Sequence, residues 1–170
     1  ERVIEAFGLR QKSAHVGKLV VRPPSGADLP AQARGIDASG AHLITGAFGG
    51  FGLETAKWLV RRGARHLVLL GRSGPASAEA QQALADFAAA GVKVIAEPCD
   101  VTDREALAKV LRKAAATVPQ IVGVFHAAMV LDDALIDDLD ESRLRKVLEP
   151  KVRGVENLDE LTRSLPLKHF

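Results

Sequence analysis

The stretch from His42 to Val60, "HLITGAFGGFGLETAKWLV", sets a short apolar run, Leu43 and Ile44, against a turn with four glycines. An amphipathic pattern follows at once. So much bare backbone between a strand and a helix serves either a tight βα connection or a ligand that must approach the main chain. The spacing predicts a strand over Leu43–Thr45 and a helix starting near Gly50. Phe51, Thr55, Trp58 and Leu59 fall at the i, i+4, i+7, i+8 positions of one apolar face.

Downstream the same alternation continues. Three more short apolar runs, His66–Leu70, Lys93–Glu97 and Ile121–Phe125, lack polar alternation, as parallel strands covered on both faces do. Between them Leu84, Phe87 and Ala88 mark a second helix. A third is predicted to open with Thr102 and Glu105 as a reciprocal capping box, with Leu107, Val110, Leu111 and Ala114 on its buried side. Gly63 and Gly91 each sit where a helix should close. Alternating strands and helices imply right-handed crossovers and a doubly wound, parallel α/β sheet.

Composition divides the chain into three zones. Residues 1–21 hold a helical pattern (Val3, Ile4, Phe7) and a short strand, Lys18–Val21. Residues 22–40, "RPPSGADLPAQARGIDASG", read as a linker, and residues 41–170 carry the α/β alternation. Only four full strands emerge before a fifth begins in "LPLKHF", so the expectation is a domain cut partway through. At 170 residues the chain can bury a real core, and 47% hydrophobic with 26% charged residues is a globular balance. A net charge of +2 with scattered basic residues gives no nucleic-acid footprint and no polybasic membrane patch. The apolar stretch Ile121–Leu131 is broken by His126 and is too short to span a bilayer. Glu1, Arg2 and Glu5 do not form a secretory leader, and the single Cys99 allows no internal disulfide. A cytoplasmic location is the expectation.

In a dinucleotide-binding turn the glycines would have separate jobs. Gly46 permits the sharp exit from the strand, Gly50 lets the backbone approach a pyrophosphate, and Gly52 lets the helix pack tightly on the strand. The helix beginning near Gly50 would present free N–H groups to the phosphates. The G-K-[ST] ending of a triphosphate-binding loop is missing, which argues against a nucleotide triphosphatase. At the end of the next strand stands Arg72-Ser73 in place of the acid that takes a ribose 2′-hydroxyl. A guanidinium there suits a 2′-phosphate and hence NADP(H), or is a solvated loop arginine. Asp100, after the third strand, is positioned to accept from an adenine amino group with Val101 against the ring, or to cap the helix that Thr102 starts. Cys99 reads as a small core residue. His126-Ala127-Ala128, after the fourth strand, offers small residues where a nicotinamide ribose would lie, and His126 itself reads as a packed, hydrogen-bonded histidine. No partner Cys or His at metal-ligand spacing accompanies it.

The last helical pattern spans about Glu141 to Leu165, with an apolar stripe of Leu144, Leu148, Val155, Leu158 and Leu161. Pro150 should bend it. Lys151 falls inside the stripe, where an ammonium needs either a partner or a route for its charge to water.

The motifs "TGAFGGFG", "LVLLGRSGP", "CDVTD", "FHAAMVLDDALI" and "VLEPKVRGVENL", in this order, resemble the ketoreductase domain of type I polyketide synthases, a modified short-chain dehydrogenase/reductase. The resemblance covers about residues 41–170. "IEAFGLRQKSAHVGKLVV" is similar to the carboxyl end of an enoyl reductase domain, and the phrasing is similar to mycobacterial lipid synthases. The resemblance implies a Rossmann-like fold and NADPH-dependent reduction of a β-ketoacyl thioester carried by an acyl carrier protein phosphopantetheine arm. Cofactor contacts would come from Thr45, Gly46, Phe48, Gly49, Gly50, Phe51, Gly52, Arg72, Ser73, Asp100, Val101, His126, Ala127, Ala128 and Lys151. Lys151, in "EPKV", matches the family's catalytic lysine, which lowers the pKa of a proton-donating tyrosine. Leu131-Asp132-Asp133 matches the fingerprint of ketoreductases that give the D-configured β-hydroxyl. That acidic pair would equally suit a helix N-terminus.

One departure matters. The family's serine, tyrosine and asparagine follow the strand that begins near Lys168, and this chain has no tyrosine at all. The expectation is a cofactor-binding part that does not turn over alone, working beside an enoyl reductase and other synthase domains. The alternative is a non-catalytic structural half-domain or scaffold. Such elements lose the glycine turn, the basic residue and the lysine, all of which are present here.

Overall fold

Ala41–Thr45 (β1) is buried at every position, and it forms the spine of the structure. The computed structural model describes residues 35–170. The expected helix and strand within residues 1–21, and most of the expected linker, lie outside the described residues. Around β1 stand His66–Gly71 (β2), Lys93–Pro98 (β3) and Ile121–His126 (β4), all parallel, in the order β3-β2-β1-β4. Crossovers are made by Gly50–Arg61 (α1), Ala78–Ala89 (α2) and Arg104–Ala115 (α3), and Glu141–Thr162 (α4) follows β4. The doubly wound, Rossmann-like architecture expected from the sequence is the one observed.

Parallel strands in register put partnered residues on the same face. Leu43 faces Val68 on one side and Val124 on the other, and this face packs on Leu107, Val110 and Ala114 of α3 and Leu158 of α4. Ile44, Leu67 and Leu69 point the opposite way, onto Leu53, Ala56 and Leu59 of α1 and Ala83 and Phe87 of α2. Two helices therefore cover each face, which is why the strands read as continuous apolar runs. The fifth strand foreseen in "LPLKHF" begins beside β4. The Lys168 amide donates to the Val122 carbonyl at 2.7 Å, and the Val124 amide donates to the His169 carbonyl at 2.9 Å. Residues 168 and 169 thus pair with part of the outer edge of β4. Among the described residues no helix is long and apolar enough to cross a membrane.

Four local expectations change. On α1 the buried residues are Gly52, Leu53, Ala56 and Leu59, whereas Phe51 is 80% exposed and Trp58 lies outside under the Arg62 guanidinium. The helix docks on its small residues because they allow the closest approach to the sheet. On α2 the inward positions are Ala80, Ala83 and Phe87, and Ala88 is exposed. The cap of α3 sits one residue later than expected. Asp103 accepts from the Glu105 and Ala106 amides, while the Thr102 hydroxyl is drawn back to donate to Asp100. On α4 the expected stripe holds only in its second half. Leu158 is fully buried and Val155 and Leu161 are half-buried, but Leu144 and Leu148 are 56% and 41% exposed. Lys151 is exposed too, so it does not sit on a buried seam. Its charge reaches water because the first half of α4 stands clear of the sheet.

A pH dependence follows from the interior. His42 is fully buried, donates from Nε2 to the Asp37 carbonyl at 3.0 Å, and has its pKa lowered from 6.5 chiefly by burial. Burial likewise lowers the pKa of His126. A histidine whose folded pKa is depressed binds fewer protons folded than unfolded, so its contribution is fully present above the unfolded pKa and is lost as pH falls. Asp37 and Asp132 are held below the usual carboxylate range by Lys168 and by Lys146 with Arg143, and stay ionised through that window. Urea unfolding should therefore show lower stability at pH 5.5 than at pH 7.5, by an amount that shrinks in His42→Gln.

Candidate functional site

The site forms where the sheet changes direction. β1 and β4 are neighbours, but β1 leads to α1 on one face and β4 leads to α4 on the other, so their carboxyl ends part and leave a crevice. Here lies a cleft of about 1090 Å³, lined by Gly46, Phe48 and Gly49 from the glycine turn, Arg72 and Ser73 after β2, Asp100 and Val101 after β3, and Ala128 after β4.

The turn is built by close approach. Gly46 has φ +66°, and a Cβ there would meet the Ala127 carbonyl oxygen at 2.6 Å, so only glycine lets the exit of β1 pass under the exit of β4. At Gly52 a Cβ would fall 2.1 Å from the Gly46 carbonyl oxygen, which brings the first turn of α1 hard against the strand it follows. Gly49 and Gly50 differ: both are exposed, with nothing within 4 Å of where a side chain would begin. They cap α1 with bare backbone. Ser77, Asp103 and Asp140 supply side-chain caps to α2, α3 and α4, whereas no side chain caps α1 and no acid sits in its first turn. The opening N–H groups of α1 are left to the space over the cleft.

The other walls are chemically distinct. Arg72 and Ser73 are both exposed at the end of β2, and among the described residues neither side chain has a partner. Asp100 accepts the Thr102 amide and hydroxyl on one carboxylate oxygen, Oδ1, at 2.9 and 2.8 Å. It thus forms a turn ahead of α3 rather than the cap, which Asp103 provides. Val101 is buried, and its carbonyl accepts from Asn157 Nδ2 at 2.8 Å, which ties α4 to the cleft floor. Cys99 lies beneath, and burial pushes its thiol up to about 11, so it stays protonated and unreactive at neutral pH. Among the described residues no group of His, Cys, Asp and Glu is arranged to hold a metal.

Several expected site residues lie apart from the cleft lining. Phe51 turns outward on α1. Thr45 is buried under the turn, and His126 has both ring nitrogens engaged within the protein: Thr45 Oγ1 at 2.7 Å from Nδ1 and the Pro150 carbonyl at 2.8 Å from Nε2. Lys151 is exposed on α4, next to Pro150, which does line the cleft. In the Leu131-Asp132-Asp133 segment Leu131 and Asp133 are exposed. Asp132 takes Arg143 at 2.6 Å and Lys146 at 2.9 Å, so it clamps the loop to side chains of α4 rather than greeting a helix N-terminus. One wall was missed in the sequence: Glu141, Arg145 and Glu149 of α4 also line the cleft. Their i, i+4, i+8 spacing is visible in the sequence, but it reads equally well as a solvated helix face.

Comparison with known proteins agrees with this geometry. Residues 40–170 match the family model of the KR domain. Highly reducing polyketide synthase 40 of Fusarium mangiferae is 36% identical over 162 residues, 92% of this chain and 6% of that protein. The phenolphthiocerol synthesis polyketide synthase type I Pks15/1 of Mycobacterium marinum is 39% identical over 166 residues, 97% of this chain and 8% of its own length. The chain therefore spans less than a tenth of these curated relatives. Among solved structures, A-type ketoreductases from a modular polyketide synthase share 36% identity at a TM-score of 0.73, covering 82% of this chain and 30% of theirs. A short-chain dehydrogenase from Mycobacterium paratuberculosis, solved with NAD bound, is 22% identical at a TM-score of 0.69 over 78% of this chain and 52% of its own, a likeness of fold. The matched family, the identities and the shared parallel sheet together establish that the chain belongs to the ketoreductase (KR) domain family of type I polyketide synthases.

Proposed function

We propose that the cleft holds NADPH and that the chain is the cofactor-binding part of a ketoreductase acting on a β-ketoacyl thioester borne by an acyl carrier protein. The observation that carries this reading is the uncapped start of α1 at the mouth of the cleft, with open space over Gly49 and Gly50. NADPH, when bound, would supply the hydride to the β-carbon, and a proton delivered to the oxygen would complete the hydroxyl. The opening N–H groups of α1 then donate to the pyrophosphate. Arg72, with Ser73, pairs with the 2′-phosphate, a charge that NADH lacks. Asp100 has its second carboxylate oxygen left for the adenine amino group, and the Val101 side chain offers an apolar surface to the ring. Ala127 and Ala128 keep the exit of β4 low where the nicotinamide ribose would lie.

Lys151 is the family-matched catalytic lysine, whose ammonium holds a ribose hydroxyl and eases proton transfer from a phenol. The 170 residues contain no tyrosine, so the chain contributes binding and the lysine but not the proton donor, and alone it is expected to reduce nothing. Leu131-Asp132-Asp133 supports a D-configured product. Residues 1–21 as an enoyl reductase tail, residues 22–40 as a linker, neighbouring synthase domains as partners and a cytoplasmic setting complete the reading.

A fluorescence titration tests it. NADPH should bind saturably. NADH and the Arg72→Ala variant with NADPH should each bind about tenfold more weakly, the effect of losing one charge-assisted contact at an exposed site. Equal affinity for both nucleotides would remove Arg72 from the site, and no NADPH binding would remove the cofactor reading.

A further inference from the structure

The polar chain from Thr45 through His126 to Pro150 runs beneath the cleft and joins β1 to α4. His126 stands at the end of β4 between Thr45, the last residue of β1, and Pro150, the residue before Lys151. We propose that His126 is a positioning residue that fixes Lys151, by tying the Pro150 carbonyl of α4 to the carboxyl end of the central strand. This rests on the reading of Lys151 given above.

The direction of each bond follows from the groups present. A proline carbonyl only accepts, so Nε2 carries the ring proton and donates to Pro150 at 2.8 Å. Nδ1 is then unprotonated and accepts from the Thr45 hydroxyl at 2.7 Å. Thr45 is itself fully buried, so the anchoring end of the chain belongs to the rigid core. Burial favours the neutral ring that this arrangement needs.

The location makes the bond matter. Among the described residues, the His126–Pro150 bond is the first tether from α4 to the sheet, counting from the helix start. The next hydrogen bond is Asn157 Nδ2 to the Val101 carbonyl at 2.8 Å, nearly two turns on. Before Pro150 the helix is held by the Asp132 clamp on Arg143 and Lys146, which leads to a loop and not to the sheet. Pro150 also has no N–H, so the Lys146 carbonyl lacks its usual helical donor and the helix is weakest at this turn. A ring pressed against the turn compensates. At Gly154 a Cβ would lie 3.1 Å from His126 Cε1 and 2.9 Å from Val101 Cγ2, so the helix rests directly on the imidazole. Without the bond, Lys151 would ride on a segment free to shift before the Asn157 contact.

The test is a double-mutant cycle on NADPH binding, with His126→Phe, His126→Gln and Lys151→Ala, each checked for an intact melting transition. His126→Phe keeps an aromatic ring against the helix and removes both bonds, and should weaken NADPH about tenfold. In the Lys151→Ala background the same change should add less than about twofold, because the residue it positions is gone. His126→Gln keeps an N–H that can reach Pro150 and should recover most of the loss. Equal weakening in both backgrounds, or no recovery by glutamine, overturns the proposal. Amide exchange on the ligand-free chain decides independently of the cofactor. The amides of residues 151–154 should exchange about tenfold faster in His126→Phe while those of β1 are unchanged, and unchanged exchange at 151–154 also overturns it. If Lys151→Ala leaves NADPH affinity intact, the Lys151 reading fails, and the exchange result still decides whether His126 holds this turn.

Discussion

Gly52→Val is expected to cost more than about 3 kcal/mol, a large fraction of the stability of a domain of this size. The Cβ alone would lie 2.1 Å from the Gly46 carbonyl oxygen and 2.6 Å from its carbon, and both are backbone. Gly46 cannot yield, because it is pinned in turn beneath the Ala127 carbonyl and Ala128 Cα. The only relief is to lift α1 off the sheet, which exposes Leu53, Ala56 and Leu59. Gly49→Ala provides the control: the backbone is extended there (φ −171°) and the space is open, so the cost should stay within about 1 kcal/mol. Denaturant unfolding followed by circular dichroism reads both. A Gly52→Val chain as stable as the parent would mean that α1 does not pack as described.

The second large effect concerns α4. Leu158→Ala should destabilise by about 2–5 kcal/mol, the range for truncating a fully buried leucine. Leu158 is the large aliphatic of this helix that is completely covered, lying in the core shared by Leu43, Val68 and Leu107. Leu148 belongs to the same apolar stripe in the sequence but is 41% exposed, and Leu148→Ala should cost less than about 1 kcal/mol. Similar losses at the two positions, in one set of urea titrations, would contradict the half-docked helix.

That contrast shows where the sequence is informative. The strands were legible because a parallel strand covered on both faces must be apolar throughout, and Leu67–Leu70 and Ile121–Val124 have no competing pattern. The turn from Gly46 to Gly52 was legible because close approach leaves glycine as the one choice at its tightest points. Helix faces were less so. Phe51 and Trp58 satisfy helical spacing as well as Leu53 and Ala56 do, and what decides between the faces is the distance to the sheet, which spacing does not contain. The Asp103 cap was hidden because Thr102, one residue earlier, is an equally good cap by residue type. The role of Asp100 in drawing off the Thr102 hydroxyl appears only in three dimensions. The site shows the same limit. Arg72, Asp100 and Val101 could be placed from strand ends alone, whereas the link from Thr45 through His126 to Pro150 joins residues far apart in the chain and has no local signature.

If the cleft at the ends of β1 and β4 is the NADPH site, the cofactor must perturb its lining before any other surface. Amide NMR of the uniformly labelled chain during the NADPH titration addresses it most directly. The largest shifts are expected on Gly49, Gly50, Arg72, Ser73, Asp100, Val101 and Ala128, with the outer faces of α2 and α3 unmoved. Shifts gathered on those outer faces, or none at saturating NADPH, would contradict it.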